Sequence, residues 1–256
     1  MSQQPDQSPD GTPGSGEQRD HAAHAMAPKQ KKRGLGAWLR EVLTIVVIAL
    51  VLSFLIKTFL FRAFYIPSGS MEETLEINDR IFVNLLVPQP IDLNRGDVVV
   101  FKDTKGWLPQ TAEKPANPVR EALTFVGLLP DESQQHLVKR VIGTEGDHVV
   151  CCDADGKITV NGEALDEPYL YPGATASDIP FDVVVPEGKV WVMGDHRNAS
   201  ADSREHQAGE GGGFVDVGDI EGKAVVTAWP LNRIGGVSSY SEVFENVPEP
   251  EGSSSK

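Results

Sequence analysis

Cysteine is scarce in this chain. Two occur in 256 residues, and they are neighbours, Cys151 and Cys152. They cannot join distant segments. Either they stay as thiols in the packing, or they close a vicinal ring, which an oxidising compartment would permit. No second Cys/His pair stands at ligand spacing, so neither a metal nor another cofactor is expected. Positive charge is also short: 23 Lys/Arg face 37 Asp/Glu, for a net charge of −14. The first 41 residues balance at +1, so the remainder carries −15. An acidic body of that kind argues against nucleic acid as a partner. A second long apolar run is missing too, so a single membrane span is expected.

Residues 1–28 consist mostly of Gln, Pro, Asp, Gly, Ser and Ala, cannot bury a core, and are expected to be disordered. A basic cluster, Lys29 to Arg33, completes a cytoplasmic head over 1–34. The apolar run follows. Val42 to Ile56 is fifteen residues without a charge, and extension to Phe61 adds only Lys57. Twenty residues at about 1.5 Å each cross a bilayer core of about 30 Å. Lys57 sits near the end of the run, where it can snorkel. A cleaved secretory signal would have a short head and a small-residue cleavage site. Arg62-Ala63-Phe64-Tyr65 is a poor site, so 38–61 reads as an uncleaved anchor. The basic cluster before it predicts a cytoplasmic N-terminus and an extracytoplasmic domain over 62–245. Residues 246–256 read as a polar tail.

Beyond the anchor the pattern is one of short strands and turns, which gives a mainly β domain. Strands are expected at 64–66, 80–86, 97–102, 136–142, 148–151, 158–160, 183–185, 190–193 and 224–229. Asp155-Gly156 and Asn161-Gly162 are hairpin-type turns. Residues 103–136 read as an insertion, with a short helix near 120–126.

Three clusters carry chemistry. Pro67-Ser68-Gly69-Ser70-Met71 holds a serine in a turn just after the anchor. A serine hydroxyl is a weak nucleophile and needs a base within hydrogen-bond reach. In Leu137-Val138-Lys139-Arg140-Val141, read as a strand, Lys139 shares a face with Leu137 and Val141. Apolar neighbours would desolvate its amine and lower its pKa. A solvated strand lysine fits the same letters, because Arg140 also lies between two apolar neighbours. Gly194 to Arg204 is a loop dense in small, hydroxylic and charged residues, in which Asp202 and Arg204 can pair.

Taken together and in order, these segments resemble bacterial type I signal peptidases, membrane-bound Ser/Lys endopeptidases that remove signal peptides from exported proteins. The resemblance runs from the anchor to Trp229. It rests on the serine segment with Thr74-Leu75, on Arg95-Gly96-Asp97-Val98-Val99-Val100-Phe101, on Val138-Lys139-Arg140-Val141-Ile142-Gly143 with Gly146-Asp147, and on Gly194-Asp195 with Ser200-Ala201-Asp202-Ser203-Arg204. It implies a β peptidase domain with Ser70 as nucleophile and Lys139 as general base. Ser68 would complete the oxyanion hole with the Ser70 N–H. Ser200 would orient the lysine, and Asp202 and Arg204 would form a structural pair. Phe64, Ile66, Met71, Leu75, Leu137 and Val138 would line pockets for small residues at −1 and −3 of the substrate. The implied partners are signal peptides of preproteins and the lipid bilayer, with the export translocon as a candidate neighbour. His196, Asn198 and Ala199 depart from the family's usual residues, and His196 is not expected to act as a base.

Other readings compete. A Ser-His-Asp hydrolase would draw on His136, His148 or His196, but the Gly-x-Ser-x-Gly elbow is absent. A self-cleaving repressor relative would not carry a membrane anchor. A membrane-anchored, non-catalytic binding protein on the same fold would be expected to have lost Ser70 or Lys139.

Overall fold

The computed structural model describes residues 35–109 and 135–250. The head, the expected short helix near 120–126 and residues 251–256 lie outside the described residues. The described chain divides into two units on either side of Ile45 and Val46. The division falls inside α1, Leu35–Phe59. Within it, Trp38–Phe59 has a mean hydropathy of 2.6 and is long and apolar enough to cross a membrane. Its large side chains, Leu43, Ile48 and Leu52 among them, are exposed rather than packed. The helix stops two residues before the apolar run does, because Phe61 already pairs with Asn84 as the first residue of a strand.

That strand is β1, Phe61–Tyr65. It is followed by β2, Arg80–Asn84, β3, Val98–Lys102, and β4, His136–Gly143. Next come β5, His148–Cys151, β6, Ile158–Val160, β7, Glu163–Ala164, and β8, Phe181–Val184. The last are β9, Lys189–Met193, β10, Val215–Asp216, β11, Ile220–Trp229, and β12, Gly235–Gly236. Eight strands form one sheet in the order β1-β2-β11-β3-β4-β9-β10, with β12 beside β11. A second sheet runs β7-β6-β5-β8. All the pairings are antiparallel.

The sequence explains the layering. Val98-Val99-Val100-Phe101 is buried throughout, as expected of a strand covered on both faces. Alternate side chains of a strand point to opposite faces. Val98 and Val100 accordingly join an apolar cluster with Ile66, Met71, Leu75, Ile81 and Val83. Val99 and Phe101 join another with Leu137, Val141, Val190 and Val192. A third cluster, centred on Trp191, Ile158 and Phe181, fills the space between the two sheets. The Asn161-Gly162 turn closes the β6–β7 hairpin with both φ angles positive, +53° and +85°, the conformation that favours this residue pair.

Two features differ from the sequence reading, and a third settles an alternative it leaves open. Part of the insertion belongs to the core: Trp107 meets Phe101 edge-on at 5.8 Å and stacks on His206 at 4.4 Å between ring centroids. Part of the polar tail is also packed, with Val247 buried and the Pro248 carbonyl accepting from Asn161 Nδ2 at 2.7 Å. Cys151 and Cys152 are joined as a vicinal disulfide.

Candidate active site

The serine segment leaves β1 and turns. Met71 and Leu75 are both buried, and the Leu75 N–H donates to the Met71 carbonyl at 2.7 Å. Two apolar side chains four residues apart thus anchor one helical turn in the core and set Ser70 at its start. Ser70 is 7% exposed. Among the described residues its N–H has no hydrogen-bond acceptor.

Lys139 comes from the middle of β4, where it stands opposite Val99 of β3 and keeps the face of Leu137 and Val141. It is 2% exposed. Its Nζ lies 2.6 Å from Ser70 Oγ. Burial is the main influence on this amine and pushes it down, from an ordinary 10.5 to about 8. The carboxylates of Asp202 and Asp195 pull the other way without cancelling the effect.

A third segment closes over this contact. β9 ends at Met193, and Gly194 follows against the serine turn. A side chain at Gly194 would bring a Cβ within 2.4 Å of the Ser70 carbonyl oxygen and 2.3 Å of Ser200 Oγ, so only glycine fits. The Gly194 N–H donates to Asp202 Oδ2 at 2.9 Å, and the His196 N–H donates to the Ser70 carbonyl at 3.2 Å. Arg204 grips Asp202 with two bonds of 2.8 Å. Burial raises the Asp202 carboxyl, but Arg204 and the Gly194 N–H outweigh it and hold Asp202 below the usual carboxylate range. Ser200 is buried, and among the described residues its Oγ has no partner at hydrogen-bond geometry.

The residue after the lysine makes the second tie. Arg140 is fully buried and forms a fork with Asp195, at 2.8 and 2.7 Å. It also donates to the Gly96 carbonyl at 2.7 Å and lies 4.1 Å from the Tyr169 ring centre. Thr74 Oγ1 donates to the same Asp195 carboxylate at 2.5 Å. The serine turn, β4 and the loop after β9 are therefore joined through one buried ion pair. In the sequence Arg140 stands as a rival to Lys139 and Asp195 as a letter of a matching segment, but nothing local joins them, because they lie 55 residues apart.

The structure brings Ser70, Lys139, Ser200, Asp202 and Arg204 into one buried neighbourhood. Ser68 lies two residues before Ser70 in sequence but is exposed. Of the six expected pocket residues, Ile66, Met71 and Leu75 form one apolar cluster, with Phe64 and Val138 against it. Leu137 belongs to the cluster on the other side of the sheet, as its place next to Val138 on a strand requires.

An amine that burial lowers to about 8 and sets against a buried hydroxyl can, in its neutral form, take that hydroxyl's proton, which is the chemistry of a serine hydrolase. Residues 39–229 match the family described as signal peptidase, peptidase S26. The chain is 37% identical to a probable signal peptidase I of Mycobacterium leprae, over 86% of each chain. It is 38% identical to the signal peptidase I of Mycobacterium tuberculosis, over 86% of this chain and 81% of that one. A signal peptidase I of Bacillus subtilis is 32% identical over 80% and 95%. The chain belongs to the signal peptidase family, peptidase S26. It is a membrane-anchored serine endopeptidase of the kind that removes signal peptides from preproteins.

Proposed function

We propose that Ser70 is the nucleophile and Lys139 the general base of this peptidase, acting at the outer membrane face on preproteins with small residues at −1 and −3. The 2.6 Å contact between Lys139 Nζ and Ser70 Oγ carries the reading. Neutral Lys139 takes the Ser70 proton as Oγ attacks the scissile carbonyl. The oxyanion forms at the Ser70 N–H, with the Ser68 hydroxyl as second donor. Preorganised donors of this kind contribute about 3–4 kcal/mol each. The protonated lysine gives its proton to the leaving amine, and the C–N bond breaks to leave an acyl-enzyme. Water, with the same lysine as base, then hydrolyses the ester and frees Ser70. Ser200 orients the amine, while Asp202 and Arg204 hold the loop that carries it.

Two edges support a strand-addition mode of substrate binding. β1 lies at the end of its sheet, and β9 joins β4 only from Arg140 onward. The 137–139 stretch of β4 is therefore paired on one side among the described residues. Phe64, Ile66, Met71, Leu75 and Val138 offer apolar walls for shallow pockets, and Leu137 adds one on the face it shares with Lys139. Eight residues separate Phe61 from Ser70, a reach of about 30 Å at most, which keeps the serine near the bilayer surface where signal peptides emerge.

The test is cleavage of a model preprotein with an Ala-x-Ala site by the full-length enzyme in detergent micelles. Ser70→Ala and Lys139→Arg should each lose activity by about 10³-fold or more, the arginine because a guanidinium holds its proton at neutral pH. Near wild-type turnover by either variant would refute the dyad.

A further inference from the structure

The loop after β9 carries a histidine that the dyad does not use. His196 Nδ1 lies 2.8 Å from Glu72 Oε2. Its ring stacks on Tyr171, with centroids 3.9 Å apart and planes within 11°. The pair is mostly shielded, with side-chain exposures of 18% for His196 and 25% for Glu72. Glu72 stands two residues after Ser70. Its side chain folds back over the turn, since a Cβ on Gly69 would lie 2.6 Å from Glu72 Oε1. The Glu72 N–H donates to the Gly69 carbonyl at 3.2 Å, and the His196 N–H donates to the Ser70 carbonyl at 3.2 Å. One residue of the loop therefore meets the nucleophile turn twice, through its backbone at Ser70 and through its ring at Glu72. Tyr171 backs the ring, and the Tyr171 N–H is itself tied to the Asp195 carbonyl at 3.2 Å.

We propose that His196 is a positioning residue for the nucleophile, its imidazole gripping Glu72 so that the Gly69–Glu72 turn holds Ser70 Oγ against Lys139 Nζ. The proposal rests on the dyad reading above. His196 touches no reacting atom through its side chain, so it acts by geometry alone. Nucleophile and base must stay within hydrogen-bond reach, and a misplacement of about 1 Å can cost on the order of 10²-fold in rate. Met71 and Leu75 fix the turn from the core side. The Glu72–His196 pair is the corresponding tie on the side facing the loop.

The experiment measures kcat, KM and the thermal midpoint of the full-length enzyme on the same preprotein. His196→Ala and Glu72→Ala should each lower kcat by about 10- to 100-fold, with KM within about twofold and the thermal midpoint nearly unmoved. His196→Phe keeps a ring on Tyr171 but loses the bond to Glu72, and it should be as slow as His196→Ala. The double variant Glu72→Ala/His196→Ala should be no slower than either single one, because both remove one interaction. Wild-type kcat in His196→Phe would reduce the residue to packing and overturn the proposal, as would single effects that multiply in the double variant. If His196→Ala folds poorly, Glu72→Ala decides by the same criteria. Ser70→Ala, run alongside, keeps the two readings apart: its activity would sink the dyad, whereas its inactivity beside a fully active His196→Phe sinks only the clamp.

Discussion

Taking a lysine ammonium out of water is costly, and Lys139 shows that cost in its amine, held near 8. The consequence for stability has a definite sign. Below about pH 8 the folded and unfolded chains both carry this proton, and the folded state bears the whole penalty of burying it. Between about 8 and 10.5 the folded chain has released a proton that the unfolded chain still holds, so stability rises with pH across that window. Lys139→Met should therefore be inactive and yet more stable than the parent at pH 7, by about 1–3 kcal/mol. The advantage should shrink as the pH approaches 10. Chemical denaturation of both proteins at pH 7 and pH 10 would check this, and a destabilised Lys139→Met at pH 7 would contradict it. The same residue marks where sequence reading stops. Alternation in β4 placed Lys139 on an apolar face, but it gave Arg140 an equal claim. What separates them is the partner each finds, Ser70 for one and Asp195 for the other, 69 and 55 residues away. The Glu72–His196 pair, 124 residues apart, left no local signal at all.

Elements were legible where one strand carried a full pattern. The apolar run of β3, the Asn161-Gly162 turn and the extent of β5 and β6 could all be read from local residues. β10 and β12, two residues each, are too short to leave a period, and they exist only because a neighbouring strand receives them. The early start of β11 at Ile220 has the same origin, since its first half pairs with β3 and its second with β2. Tertiary pairing extends a strand beyond its propensity. At this scale the substrate walls can be tested. Ile66 is buried at the end of β1, beside Met71 and Leu75. Ile66→Ala should cost about 2–4 kcal/mol of stability and should admit larger residues at −1 or −3. A panel of preproteins with Ala, Val or Leu at those positions, assayed well below the melting transition, would show it. Unchanged selectivity in a folded variant would remove Ile66 from the pocket.

The whole molecule pairs an apolar helix with an acidic, mainly β body. Sequence composition conveyed that division because it needs only a hydrophobic run and a charge count. It could not foresee that Trp107 from the insertion and Val247 from the tail would be packed into the core. Val247 is a lone apolar residue in a polar stretch and Trp107 has only Leu108 beside it, and the burial of each depends on the surface it meets. The Lys29 to Arg33 cluster supports the proposed orientation, with the N-terminus inside. Protease added to intact spheroplasts should digest the domain from residue 62 onward and leave an N-terminal tag intact. Loss of the tag with the domain spared would invert the topology and separate Ser70 from emerging signal peptides.

Catalysis by this dyad requires a lysine that is neutral when it meets Ser70. Its most direct test is an NMR titration of the Lys139 side chain, through a label at Cε in the full-length enzyme, set against the pH dependence of kcat/KM. The amine should titrate near 8, down from an ordinary 10.5, and activity should rise with pH through that same midpoint. A lysine that titrates near its ordinary value, with activity greatest around pH 5 and falling by pH 8, would contradict the mechanism.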